Sequence, residues 1–197
     1  MTEHYAALSH TRLRPGIPCH TPHGLTPLVH ASDPAIRVMT DFRLVTPLTI
    51  EPGMTIDAAL DKMKAAGVRL LLIPDRDDNI VGIITACDIQ GEQPVRMSEE
   101  LRLPRHSISV EMLMKPLDKV TAMDMITVRN ARVGHIVHTL RDQECQHMLV
   151  VETGRTDHSQ TLRGMFCLAE IGKLMGHEVG TPEHAAHSLA EVSHELG

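Results

Sequence analysis

The sequence predicts an α+β fold in which one β-α-β-β-α unit is used twice, with N- and C-terminal tails. Three recurrences carry that prediction. Ile56, Ala59, Leu60 and Met63 recur at helical spacing, and Val133, Ile136, Val137 and Leu140 reproduce that face 77 positions later. Cys145 to Val151 repeats the apolar run Val68 to Pro74 at the same offset. Gly164-Met165-Phe166-Cys167-Leu168-Ala169-Glu170 then follows Gly82-Ile83-Ile84-Thr85-Ala86-Cys87-Asp88 by 82 positions, the intervening hairpin being five residues longer. Helix, strand, hairpin and strand-to-helix turn recur in the same order, which coincidence explains poorly.

In chain order, residues 1–33 hold five His and four Pro without sustained periodicity, and read as a loose N-terminal arm. Cys19, His20 and His23 offer metal-ligand chemistry there, but no second cluster stands at zinc-site spacing. The first repeat spans 34–90. Ala35 to Thr40 is a short helical lead-in, and Val45 to Ile50 is extended, with Pro47 suiting an edge. Thr55 is placed to cap the helix of Ile56 to Met63, and Gly67 to end it. Val68 to Ile73 and Ile80 to Ile84 are strands joined by the hairpin loop Asp75 to Asn79. A helix opens at the Thr85–Asp88 turn, and Gly91 and Pro94 are expected to cut it short.

An inter-repeat linker covers 91–109, and the second repeat 110–175. In that repeat Met114-Lys115-Pro116 echoes Met39-Thr40, and Ile126-Thr127-Val128 echoes the extended Thr49-Ile50-Glu51. From 176 to 197, Thr181-Pro182-Glu183 signals a helix start, and Ala185, Leu189, Val192 and Leu196 mark one apolar face. A dimer contact or a lid on the body would equally use that face.

Composition narrows the function. The chain has one Tyr, two Phe and no Trp, so its core is aliphatic and base-stacking platforms are scarce. A net charge of −6 argues against non-specific nucleic-acid binding. Apolar runs are far too short for a membrane span, and no signal peptide is evident. Four scattered cysteines (19, 87, 145, 167) suit a reducing cytoplasm rather than a disulfide framework. There is no phosphate-loop, dinucleotide, zinc-protease or serine-elbow motif, so no independent catalytic site is expected.

The ordered set Met39-Thr40, Thr46-Pro47, the Ile56 to Met63 face, Gly67-Val68-Arg69 and Gly82 to Asp88, occurring twice over about residues 36–175, resembles the tandem cystathionine-β-synthase (CBS) domain pair, or Bateman module. The resemblance implies two CBS repeats packed through their sheets about a pseudo-two-fold axis, with two clefts between them, and pairing of modules into flat homodimers. The linker around Asp88 to Pro94 is similar to that of small stand-alone bacterial CBS-pair proteins without an enzymatic domain.

In that family the Thr-x-x-Asp turn holds the ribose of an adenine-containing ligand such as AMP, ADP, ATP or S-adenosylmethionine. The first candidate site is therefore Thr85 and Asp88 at the ribose, Val120 and Thr121 beside the base, and Gln146 and His147 on the facing strand. The second carries Thr46 and Pro47 beside the base and Arg69 for phosphate, but Cys167 and Glu170 stand where the hydroxyl and Asp would be. Leu72 and Leu149 also replace a proline common in the family. The resemblance implies a regulatory module that binds its ligand at Thr85 and Asp88 and signals to an unidentified protein partner; the alternative is a dimerisation scaffold that has lost its ligand.

Each residue also has a plainer reading. Thr85 and Asp88 would serve equally as helix caps, Arg69 as a solvated strand residue, and His135 and His138 as flanks of a buried helical face. Cys87 and Cys167, at the two turns, would be ordinary thiols rather than redox sensors.

Overall fold

The computed structural model describes residues 28–154, 159–176 and 179. The arm before residue 28 and the expected C-terminal helix lie outside them. Short β1 (Thr40–Asp41) precedes an extended segment, then α1 (Ile56–Ala66), β2 (Leu70–Pro74), β3 (Ile80–Thr85) and α2 (Ala86–Gln90). Next come α3 (Gln93–Leu101), α4 (Val110–Leu113), β4 (Lys115–Pro116), β5 (Ala122–Asp124), α5 (Met125–Asn130) and α6 (Val133–Asp142). The chain continues through β6 (His147–Thr153), β7 (Gln160–Cys167) and α7 (Leu168–Met175).

Local chemistry accounts for these boundaries. The Thr55 hydroxyl accepts from the Ala58 N–H at 3.2 Å and so caps α1, and Gly67 closes that helix in the left-handed region at φ 68°. Ile56, Ala59 and Met63 are buried on one face of α1, as are Val133, Ile136 and Leu140 on α6.

The two repeats share register as well as order. Leu70 pairs with Thr85 and Leu72 with Ile83; 77 and 82 positions on, His147 pairs with Cys167 and Leu149 with Met165. Even the irregularity recurs, between Ile73 and Pro74 and between Val150 and Val151. Such a bulge bends its strand, so a bend at the same place curves both sheets alike.

Two sequence readings need correction. Pro94 does not shorten a helix but sits in the first turn of α3, where its missing N–H costs nothing; α2 ends at Gln90, before Gly91. Ile126 to Val128 is helical rather than extended, because the Asp124 carboxylate caps the Ile126 N–H at 2.8 Å and starts α5. The parallel partner of Leu149 is Ala122, whereas that of Leu72 is Thr49, so the true counterpart of Thr49 lies four residues before Ile126.

The strands form two sheets, β1-β7-β6-β5 and β2-β3-β4. Each repeat lends its leading strand to the other: β1 pairs antiparallel with β7, and β4 with β3. The cores follow suit. Val29, Ala35, Val38 and Met39 pack with the second repeat, while Ile108, Val110 and Leu113 pack with the first. A third cluster joins the repeats, with Leu70, Leu72, Ile83 and Leu149 buried at its centre.

Candidate functional site

At the end of β3 the chain turns directly into α2, leaving backbone N–H groups without helical partners. Thr85 and Asp88 satisfy them reciprocally. The Asp88 carboxylate accepts from the Thr85 N–H at 2.8 Å and from the Thr85 hydroxyl at 2.7 Å, while the Thr85 oxygen accepts from the Asp88 N–H at 3.2 Å. This is a complete capping box, worth about 1 kcal/mol or somewhat more. The plainer reading of these residues is thus realised, and a diol would have to share these oxygens with the cap.

The equivalent turn at the end of β7 differs. Cys167 makes no side-chain cap to α7, and the Glu170 carboxylate instead accepts from Lys173 Nζ at 2.6 Å on the exposed side of the helix. No hydroxyl competes for ligand here, and the longer glutamate reaches outward.

Between β1 and the Thr49–Leu72 bridge, residues 42–48 run as a strap from the second repeat to the first. At one end the Asp41 carboxylate pairs with the nearly buried Arg163, and Arg43 pairs with Glu152 at 2.6 Å. At the other, the Leu72 N–H donates to the Leu48 carbonyl and the Ile50 N–H to the Leu72 carbonyl, both at 2.9 Å.

Under this strap lies a cavity of about 640 Å³, within the range of small-molecule sites. Thr46, Pro47, Arg69, Cys167 and Glu170, all five residues expected of the second site, line it. Phe42, Leu70, Leu72 and Met165 supply apolar wall, and Lys173 a further cation. With Lys173 held by Glu170, Arg69 is the cation left without an ion-pair partner among the described residues.

The first-site residues do not gather in the same way. Val120 lines a different cavity, about 570 Å³, together with Ile80, Leu117 and Leu149 near the hairpin end of β3. Thr85 and Asp88 border neither cavity, Thr121 is exposed, and Gln146 accepts the Leu168 N–H through its carbonyl at 2.9 Å. His147 joins the wall of the 640 Å³ cavity instead.

His147 is the most perturbed titratable group described. Its Nε2 is sealed from solvent with no hydrogen-bond partner among the described residues, an omission that costs about 1–3 kcal/mol. Burial chiefly, and then the charge of Arg69, push its pKa down to about 4, against the pull of Asp88. The ring is therefore neutral near pH 7. Elsewhere, burial raises the Cys145 thiol. Among the described residues no group of three His, Cys, Asp or Glu is placed to hold a metal ion, and no helix is long and apolar enough to cross a membrane.

Sequence reasoning missed Phe42, Lys173 and the placement of His147. Lys173 was legible as a basic residue one turn after Glu170, and Phe42 as one of only two phenylalanines. His147 was not, because Leu70 at the matching position gives no hint of a polar wall.

Residues 35–93 match the model of the CBS domain. The first repeat is a CBS domain. A structure of an uncharacterized conserved protein from Pyrococcus horikoshii shares the fold at 21% identity and TM-score 0.50, covering 73% of this chain and 92% of its own. A CBS-domain containing protein from Agrobacterium tumefaciens superposes at 16% identity and TM-score 0.49, covering 70% and 93%. The CBS domain pair of protein MJ0100, in complex with 5′-methylthioadenosine and S-adenosyl-L-methionine, does so at 17% identity and TM-score 0.47, covering 76% and 98%. No curated protein sequence matches the chain. The second repeat lies beyond the matched segment and shares the register and irregularity of the first.

Proposed function

We propose that this CBS pair is a regulatory module, not an enzyme, that takes an adenine nucleotide or an S-adenosyl compound in the cavity beneath the strap and signals to a separate protein. The carrying observation is the cavity itself, which brings Thr46, Pro47, Arg69, Cys167 and Glu170 together between the repeats. Its chemistry is divided as such a ligand requires. Pro47, Leu48, Leu70 and Met165 offer an apolar slot for a base, Arg69 offers hydrogen bonds and charge to a phosphate, and Glu170 reaches toward a diol. Thr85 and Asp88, which border neither cavity, remain a candidate ribose grip at the cost of loosening their cap.

Because strap and cavity walls come from both repeats, a ligand held there biases their relative arrangement. It regulates only in so far as it binds one arrangement better than another. Titration calorimetry with AMP, ATP, S-adenosylmethionine and adenosine tests the reading. We expect binding tighter than millimolar by at least one of these, with Arg69→Met weakening the phosphorylated ligands about tenfold or more and adenosine little. Millimolar or weaker binding throughout would leave the dimerisation scaffold as the better account. The full capping box favours that second reading, since it leaves the best-preserved ribose turn already engaged.

A further inference from the structure

His147 stands apart from the ligand groups above. It belongs to the second repeat, yet the charges that act on it, Arg69 and Asp88, both come from the first. His147 lines the cavity with Arg69, and its Nε2 is closed off and unpartnered among the described residues. Burying an imidazole without a partner is tolerable only while it is neutral.

We infer that His147 makes the cavity responsive to the charge of its ligand: a phosphate-bearing ligand seated on Arg69 draws a proton onto His147, whereas an uncharged nucleoside does not. The inference rests on the proposed adenine-ligand reading of this cavity and adds a regulatory property to it.

The coupling is electrostatic. Within the protein, burial and the Arg69 guanidinium both oppose a charge on the ring, and the Asp88 carboxylate favours one. A phosphate on Arg69 cancels part of the opposing field and sets a negative charge beside the same wall. The other ionisable groups facing that wall are Glu170 and Lys173 of α7, paired with each other at 2.6 Å, and the Cys167 thiol directly across the ladder. The first two largely compensate one another, so Arg69 and Asp88 dominate the field at the ring. In its proton bookkeeping, binding takes one fractional proton from solvent onto the imidazole, and no bond of the ligand changes. A ligand whose bound state holds more protons binds more tightly as pH falls.

The test is calorimetry of the full chain with AMP and with adenosine, from pH 7.5 to 5, in buffers of different ionisation enthalpy. Comparison with His147→Asn removes the contribution of AMP's own phosphate titration. We expect AMP to take up a fraction of a proton more on the native chain than on the variant, and its affinity advantage on the native chain to grow severalfold toward pH 5. Adenosine should show neither effect. Equal uptake by native chain and variant, with AMP bound to both, overturns this inference and leaves the ligand reading intact. Absence of binding by both ligands overturns the ligand reading and this inference with it. An NMR titration of the native His147 ring, with and without AMP, needs no variant: a midpoint unmoved by bound AMP also overturns the proposal.

Discussion

At the scale of single residues, the two turns of the pair have diverged in what their side chains do. Thr85 and Asp88 hold each other, whereas Glu170 holds Lys173 and the Cys167 side chain does not cap α7. Thr85→Ala should therefore cost about 1 kcal/mol of stability by urea unfolding while changing AMP affinity less than twofold. A large loss of affinity would move the ligand to the Thr85–Asp88 turn. His147 makes the stability of the fold pH-dependent. Its folded pKa, about 4, lies below the ordinary value of 6.5, so the unfolded chain binds the proton more readily. Its contribution is thus intact above pH 6.5 and is lost as pH falls through the window from 6.5 to 4. Unfolding at pH 7 and 4.5 should show a drop about 2 kcal/mol larger for the native chain than for His147→Leu, the residue type found at the matching position in the first repeat.

At the scale of elements, the exchanged strands matter most. β1 has only two residues, and its closeness to β7 depends on Gly164: a Cβ there would meet the Thr40 carbonyl oxygen at 2.4 Å and the Met39 sulfur at 3.3 Å. Backbone oxygen cannot yield as a flexible side chain can. Gly164→Ala should push β1 off β7, destabilise the fold by about 1–3 kcal/mol and raise hydrogen exchange at Thr40 and Phe42, measurable by mass spectrometry. Unchanged exchange there would show that β1 does not depend on this close approach. Gly82 occupies the corresponding position in the first repeat, where a Cβ would meet Met114 Sδ at 2.8 Å and the Lys115 carbonyl at 3.1 Å. The same small residue thus admits the exchanged strand in both repeats.

At the scale of the whole molecule, the strap is where the two repeats report on each other. Its anchor on the second repeat is a nearly buried ion pair between Asp41 and Arg163, with Glu152 3.6 Å from Arg163 Nε. Without the Asp41 charge, Arg163 keeps only the more distant Glu152. Asp41→Asn should cost about 1–3 kcal/mol by urea unfolding and weaken AMP by loosening the Phe42 to Leu48 wall. If affinity survives while stability falls, the strap is a structural tie and not part of the ligand grip.

Much of this architecture was legible in the chain. The offsets of 77 and 82 predicted the shared register of β2–β3 and β6–β7, because hydrophobic patterning on a pleated strand sets which face is buried. The caps at Thr55 and Gly67 were legible too, since capping depends on a few adjacent residues. What the residue order alone determined is therefore local: two copies of one unit, their helical faces and their turns. The tertiary structure decided which copy each leading strand joins, that Glu170 and Arg69 line one cavity beneath the strap while Thr85 and Asp88 close on each other, and that His147 feels charges from the other repeat. Those outcomes depend on contacts between residues far apart in the chain, where packing and long-range charge, not periodicity, choose the partner.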